Sequence, residues 1–266
     1  MGEAKRRKQL GTYRTETVIP NDLKTDIAGA VQSIDFILPI SGGTCLFRAM
    51  IGKRLLERLG FPAKIALGGM VYRVGPDPYR DVVAFCGKGN TGQIVNGGFL
   101  GHYWLALYND FIDFSVAEWQ TLDTESMEII PCDLGPIRWT ISPPNFFWAN
   151  KQSLAPIKGQ DGPSLGSAWY TGWAGPDAPF SELLTDVAQA IDWSTIKAHF
   201  DHCIEHYALS ERAWAAQHGH TAIRLSTLCK LAGYPGPERE KCIVLQGKPE
   251  INSLNAAQII ANALVH

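Results

Sequence analysis

No stretch of this 266-residue chain is apolar for long enough to cross a bilayer, which takes about 20 residues of helix. The longest largely apolar runs, Phe36 to Ile40 and Ile259 to Val265 with Asn262 inside it, fall far short, so no transmembrane helix is expected. An excess of one charge is missing as well: 24 Lys and Arg against 26 Asp and Glu leave a formal net charge of -2. So even a balance offers no global attraction to nucleic acid or to an anionic membrane, and neither is expected as a partner. Cysteine is sparse. Six in this length, without a Cys-x-x-Cys pair, have neither the density of a disulfide scaffold nor the spacing of a zinc ribbon, so reduced thiols in a cytoplasmic setting are expected. The start, MGEAKRRKQLG, is basic at Lys5, Arg6, Arg7 and Lys8 but has no apolar stretch behind it, so it does not read as a secretory signal. Arg6 also breaks the myristoylation pattern. A phosphate-binding Gly-x4-Gly-Lys-Ser/Thr sequence is absent, and so is the alternation of strands and helices that a doubly wound nucleotide fold needs.

What is present suits a globular protein: 45% hydrophobic, 10% aromatic and 19% charged residues, in a chain long enough to bury roughly 70–75% of its extended surface. Residues 1–20 form a polar basic tail with no assigned role. From Asp22 to Ile40, Leu23, Ile27, Val31 and Ile34 repeat at helical spacing, and Ser41-Gly42-Gly43 then leads flexibly into the next helix. That helix is the best marked. Thr44 is placed to cap it, Leu46, Phe47, Met50, Ile51, Leu55 and Leu59 form an apolar stripe, Gly60 suits the left-handed position after it, and Pro62 forbids continuation. Runs at 64–67, 70–73 and 81–85 read as strands of an antiparallel sheet. His102 to Leu107 and Phe111 to Ser115, around Tyr108-Asn109-Asp110, read as a hairpin.

Residues 131–180 hold eight prolines, six glycines and many aromatic rings. That is the composition of an ordered loop packed over the sheet. From Phe180 to about Gln217, Thr221 to Leu231 and Asn255 to Leu264 the pattern is helical. The expected organisation is therefore an α+β core at 21–130, the loop region at 131–180 and a helical region at 181–266.

Three residues stand where chemistry would need them. Cys45 lies in the first turn of its helix, where unpaired N–H groups and the helix dipole favour a thiolate and can hold an oxyanion. His102 opens a strand after the flexible stretch 96–101, poised as a proton acceptor. Asp113, among Phe111, Ile112 and Phe114, is a costly place for a carboxylate unless it is paired, and orienting an imidazole would be such a pairing. With a turn spanning Leu107 to Asp110, Asp113 faces Trp104 and lies one diagonal step from His102 on the same face. A tighter turn keeps the shared face and separates the pair.

The segments GGTCLFRAMIGKRLLERLGFPAKIALGG and GHYWLALYNDFIDFSV resemble the transglutaminase-like branch of the papain-like cysteine superfamily. The Cys-Leu-Phe-Arg-Ala and His-Tyr-Trp motifs are similar to those of proteases that cut leaders from lasso-peptide precursors and, more distantly, to arylamine N-acetyltransferases. The resemblance covers about residues 20 to 118. It implies a papain-like core and a Cys-His-Asp triad: Cys45 as nucleophile, His102 as general base and acid, Asp113 as orienter, with Gln32 a candidate oxyanion donor. Tyr103, where small residues are usual, and the long insertion from Gly75 to Gly101 depart from it. The function expected is a thiol hydrolase, a peptidase or amidase, acting on a peptide, a protein or a small amide or thioester. Acyl transfer to an amine and an inactive peptide-binding module are the alternatives. No cofactor is implied. His199, His202, Cys203 and His206 share one helix face and invite a divalent metal, with His218 and His220 nearby, but the pattern is not His-Glu-x-x-His and a half-buried helix face is the expectation.

Overall fold

A computed structural model describes residues 18–38, 44–78, 81–84, 94–95, 98–99, 102–116, 138–142, 144–150, 164–172 and 187–264. The chain is mixed α and β and divides into two compact units, Ala28–Lys197 and the combination of Met1–Ile27 with Ala198–His266. No helix among the described residues is long and apolar enough to cross a membrane.

Helix α1 (Asn21–Gln32) ends earlier than the apolar repeat suggests, because the chain tightens into a 3₁₀ turn at Ser33–Phe36. Such tightening is common at helix ends. It presents Asp35 to an ion pair with Arg48, which is buried on the next helix. That helix, α2 (Thr44–Arg58), stops as its sequence dictates. Gly60 takes φ 81°, its N–H donates to Glu57, and the Phe61 N–H reaches back to Leu56 at 2.8 Å. This is a Schellman closure, and it leaves Phe61 fully buried.

The Ala28–Lys197 unit is built on an antiparallel sheet: β1 (Lys64–Arg73), β2 (Val82–Ala84), β5 (His102–Leu107), β6 (Asp110–Asp113), β7 (Phe147–Asn150) and β8 (Ala168–Gly172). A separate short pair, β3 (Ile94–Val95) and β4 (Gly98–Phe99), precedes β5. The main order is β2-β1-β5-β6-β7, with β8 on the other edge of β1. Gly68 is opposite both His102 and Gly172, so β5 and β8 flank β1 on opposite sides. A flat sheet would then hold β8 three strands from β6. Instead the Tyr170 ring of β8 lies 5.8 Å from Phe111 of β6 and 5.8 Å from Phe147 of β7. The sheet therefore curls until its two ends meet.

Alternation along the strands gives the curl an inside and an outside. Inside lie Met70, Tyr72, Trp104, Ala168 and Tyr170, a buried aromatic cluster. Outside, Leu105 and Phe114 receive α2. Gly52 makes that approach close: a Cβ there would stand 2.4 Å from the Phe114 ring and 3.2 Å from Leu105. The helix bearing Cys45 and the strand bearing His102 are thus in direct contact.

Strands β7 and β8 fall in the segment expected to be an ordered loop, and they join the sheet of the core rather than covering it. Their few residues between prolines and glycines show too little alternation to be read from sequence. A second pin holds the β1–β2 turn: Asp81, fully buried, accepts Arg138 Nη2 at 3.0 Å and the Arg138 and Asp77 N–H groups.

Helix α3 (Trp193–His206) begins in the first unit and runs into the other, where α4 (Leu209–Gln217), β9 (Thr221–Arg224), α5 (Leu225–Ala232), β10 (Cys242–Leu245) and α6 (Ala256–Leu264) follow. The helical reading of Thr221 to Leu231 gives way at its start to β9, which pairs antiparallel with β10. Four residues carry no periodicity, and the partner strand, with which Arg224 pairs at Cys242 and Thr221 at Leu245, decides. Arg212, buried, ion-pairs with Asp22 at 2.7 Å and with Asp26, tying α1 to α4.

Candidate active site

The hairpin that carries the site has its register set by a two-residue loop. Leu107 pairs with Asp110 and Leu105 with Ile112, around Tyr108 at φ 53°. A positive φ at this position matches the twist of the flanking strands. The register puts Asp113 opposite Trp104, the arrangement expected from a turn spanning Leu107 to Asp110. His102 then stands one diagonal step away, and its Nε2 lies 2.5 Å from Asp113 Oδ2. Both side chains are buried, at 1% and 2% exposure, so solvent does not screen the pair.

The carboxylate is fully occupied. Oδ1 accepts the Ser115 N–H at 2.9 Å and its hydroxyl at 2.7 Å, and Oδ2 accepts the Tyr170 hydroxyl at 2.9 Å besides His102. Burial alone would raise the Asp113 pKa, but the His102 charge and the bonds from His102 and Ser115 hold it below the usual carboxylate range. For His102, burial works against the charged ring. The Asp113 charge and hydrogen bond overcome it, with a hydrogen bond and charge from Cys45 adding to them, and the pKa is pushed up to about 10.

Cys45, half-buried in the first turn of α2, is thus within hydrogen-bonding reach of the imidazole. The three residues singled out in the sequence come together from a helix start, a strand start and the next strand. Tyr103 packs in the same neighbourhood, its hydroxyl pushed up to about 12 by burial and by the Cys45 charge. Gln32 donates its amide to the backbone carbonyl of Asn145, so it is engaged in holding that loop.

Sequence reasoning passed over Tyr170 and Ser115. Ser115 was within reach, since a serine two residues after an aspartate commonly satisfies its carboxylate. Tyr170 carried no signal, because only the curl of the sheet brings it to Asp113.

The histidine-rich face of α3 does not converge. His199 Nε2 lies 3.4 Å from Cys203 Sγ, while His202 stacks on His206 at 5.7 Å. His218 bonds the Trp214 carbonyl and His220 accepts the Gly247 N–H. Among the described residues, no three His, Cys, Asp or Glu side chains group as a metal site would.

No protein-family model matches the chain, and no curated protein matches it significantly. Among solved structures it is similar to one described as the crystal structure of genomics APC5867, at 13% identity and a TM-score of 0.42, over 90% of this chain and 97% of that one. A likeness at that level assigns neither family nor activity.

Proposed function

We propose that this protein is a cysteine-dependent hydrolase of the transglutaminase-like kind, opening an amide or thioester bond through Cys45, His102 and Asp113. The observation that supports the reading is the buried His102–Asp113 pair, with Cys45 in the first turn of a helix close enough for its charge to act on the imidazole. With its proton already resting on His102 Nδ1, Cys45 Sγ attacks the substrate carbonyl carbon as the thiolate. The carbonyl π electrons move to oxygen, and the N–H groups of the first turn of α2, which have no acceptor within the helix, receive that oxyanion. Collapse expels the amine or thiol leaving group, which takes the proton from His102, and leaves a thioester on Cys45. Water, deprotonated by His102, then opens the thioester and regenerates the thiol. Asp113 keeps its proton-accepting face on Nε2, so that Nδ1 always points to the reacting atoms.

Iodoacetamide labelling against pH, read cysteine by cysteine in the mass spectrometer, tests this without a substrate. Ordinary thiols, with pKa of about 8.5, react slowly near pH 6. Cys45 is expected to label selectively there and to lose that selectivity in His102→Ala. Labelling no faster than the other five cysteines would leave a binding module in place of an enzyme.

A further inference from the structure

We propose that Tyr170 is a positioning residue of this site: its hydroxyl, delivered by β8 across the curled sheet, holds Asp113 Oδ2 and limits how tightly that carboxylate grips His102. The inference rests on the hydrolase reading and deepens it.

A carboxylate beside an imidazole has two ways to fail. It can rotate and lose the ring, or it can hold the protonated ring so firmly that the proton is not returned to the leaving group. Ser115 deals with the first, since its N–H and hydroxyl at 2.9 and 2.7 Å fix Oδ1. Oδ2 faces the second problem, and it is this oxygen that Tyr170 shares with His102, at 2.9 Å against 2.5 Å. A second donor on one oxygen stabilises the carboxylate charge and lowers its affinity for a proton, so it holds the imidazolium less firmly. The Tyr170 donor is built to stay in place: its ring is buried, 5.2 Å from Trp104 and stacked at 13° on Phe111. Burial and the Asp113 charge also keep the hydroxyl protonated through neutral pH, so it serves as a donor throughout the cycle. A tyrosine needed only for packing would lose nothing as phenylalanine.

Tyr170→Phe keeps the ring and removes only this bond. Two readouts are taken on the whole chain: the downfield proton resonance of the His102–Asp113 hydrogen bond, and the pH midpoint of Cys45 labelling by iodoacetamide. With one donor fewer, Asp113 holds the imidazolium more strongly, so the resonance moves further downfield. The labelling midpoint falls by roughly half to one pH unit, since a bond to a charged group carries a small number of kcal/mol and each pH unit is about 1.4. Tyr170→3-fluorotyrosine, a stronger donor of the same shape, moves both the other way and serves if the phenylalanine variant does not fold. In an Asp113→Asn background the Tyr170 effect disappears. A resonance and midpoint unchanged in either variant overturn the proposal. Failure of the hydrolase reading is separate: it shows as an unreactive Cys45 in the wild-type protein, and the resonance alone then decides whether Tyr170 governs Asp113.

Discussion

Replacing Asp113 by Asn removes the charge that holds His102 protonated while keeping the size of the side chain, and its cost should depend on pH in a defined direction. His102 is raised from 6.5 in an unfolded chain to about 10 in the fold. A raised pKa contributes stability that is fully present below the unfolded value and is lost as pH rises through the folded one. At about 1.4 kcal/mol per unit, that rise corresponds to roughly 3–5 kcal/mol, the same range as the cost of breaking a buried pair by removing one partner. Asp113 itself is lowered, so its contribution is present above its unfolded pKa and fades only in acid. The two together give a plateau from about pH 4 to 6.5 and a decline toward pH 10. Urea unfolding of wild type and Asp113→Asn, compared at pH 6 and at pH 10, is the assay. At pH 6 the variant should be about 3 kcal/mol less stable. At pH 10 the gap should shrink to about 1 kcal/mol, the worth of the hydrogen bonds alone. A gap of equal size at both pH values would refute the ion pair as the source of the His102 shift.

Gly52→Ala places a methyl 2.4 Å from the Phe114 ring, which is buried at 2% exposure and has nowhere to swing. Overpacking of about 1–3 kcal/mol outweighs the gain of about 1 kcal/mol in helix propensity, so the urea midpoint should fall; a rise would mean α2 does not sit this close to β5. Arg212→Ala removes the buried partner of Asp22 and Asp26, but Asp22 is half exposed to solvent and Asp26 keeps Arg224 at 3.7 Å, so the cost should be about 1–3 kcal/mol. Hydrogen exchange should find the loss in α4 and α1, and unchanged protection there would show that the pairs add nothing.

Local chemistry was legible in the sequence wherever a few neighbouring residues decide the outcome. Gly60 and Pro62 end α2 because one accepts φ 81° and the other has no N–H to give. The same locality puts Cys45 in a first helical turn and His102 at a strand start. It also puts Asp113 on the face of His102, since a two-residue loop permits that register and period-two alternation does the rest. Long-range pairing was not legible. Strands β7 and β8, each four or five residues long among prolines and glycines, are strands only because β6 and β1 offer open edges. Strands β9 and β10 depend on each other in the same way. A candidate triad could therefore be named from sequence, but its environment could not. The curl of the sheet brings Tyr170 from 57 residues away onto Asp113, and the close seat of α2 on Leu105 and Phe114 sets Cys45 against His102. Both follow from how buried surfaces fill space together, which no window along the chain contains.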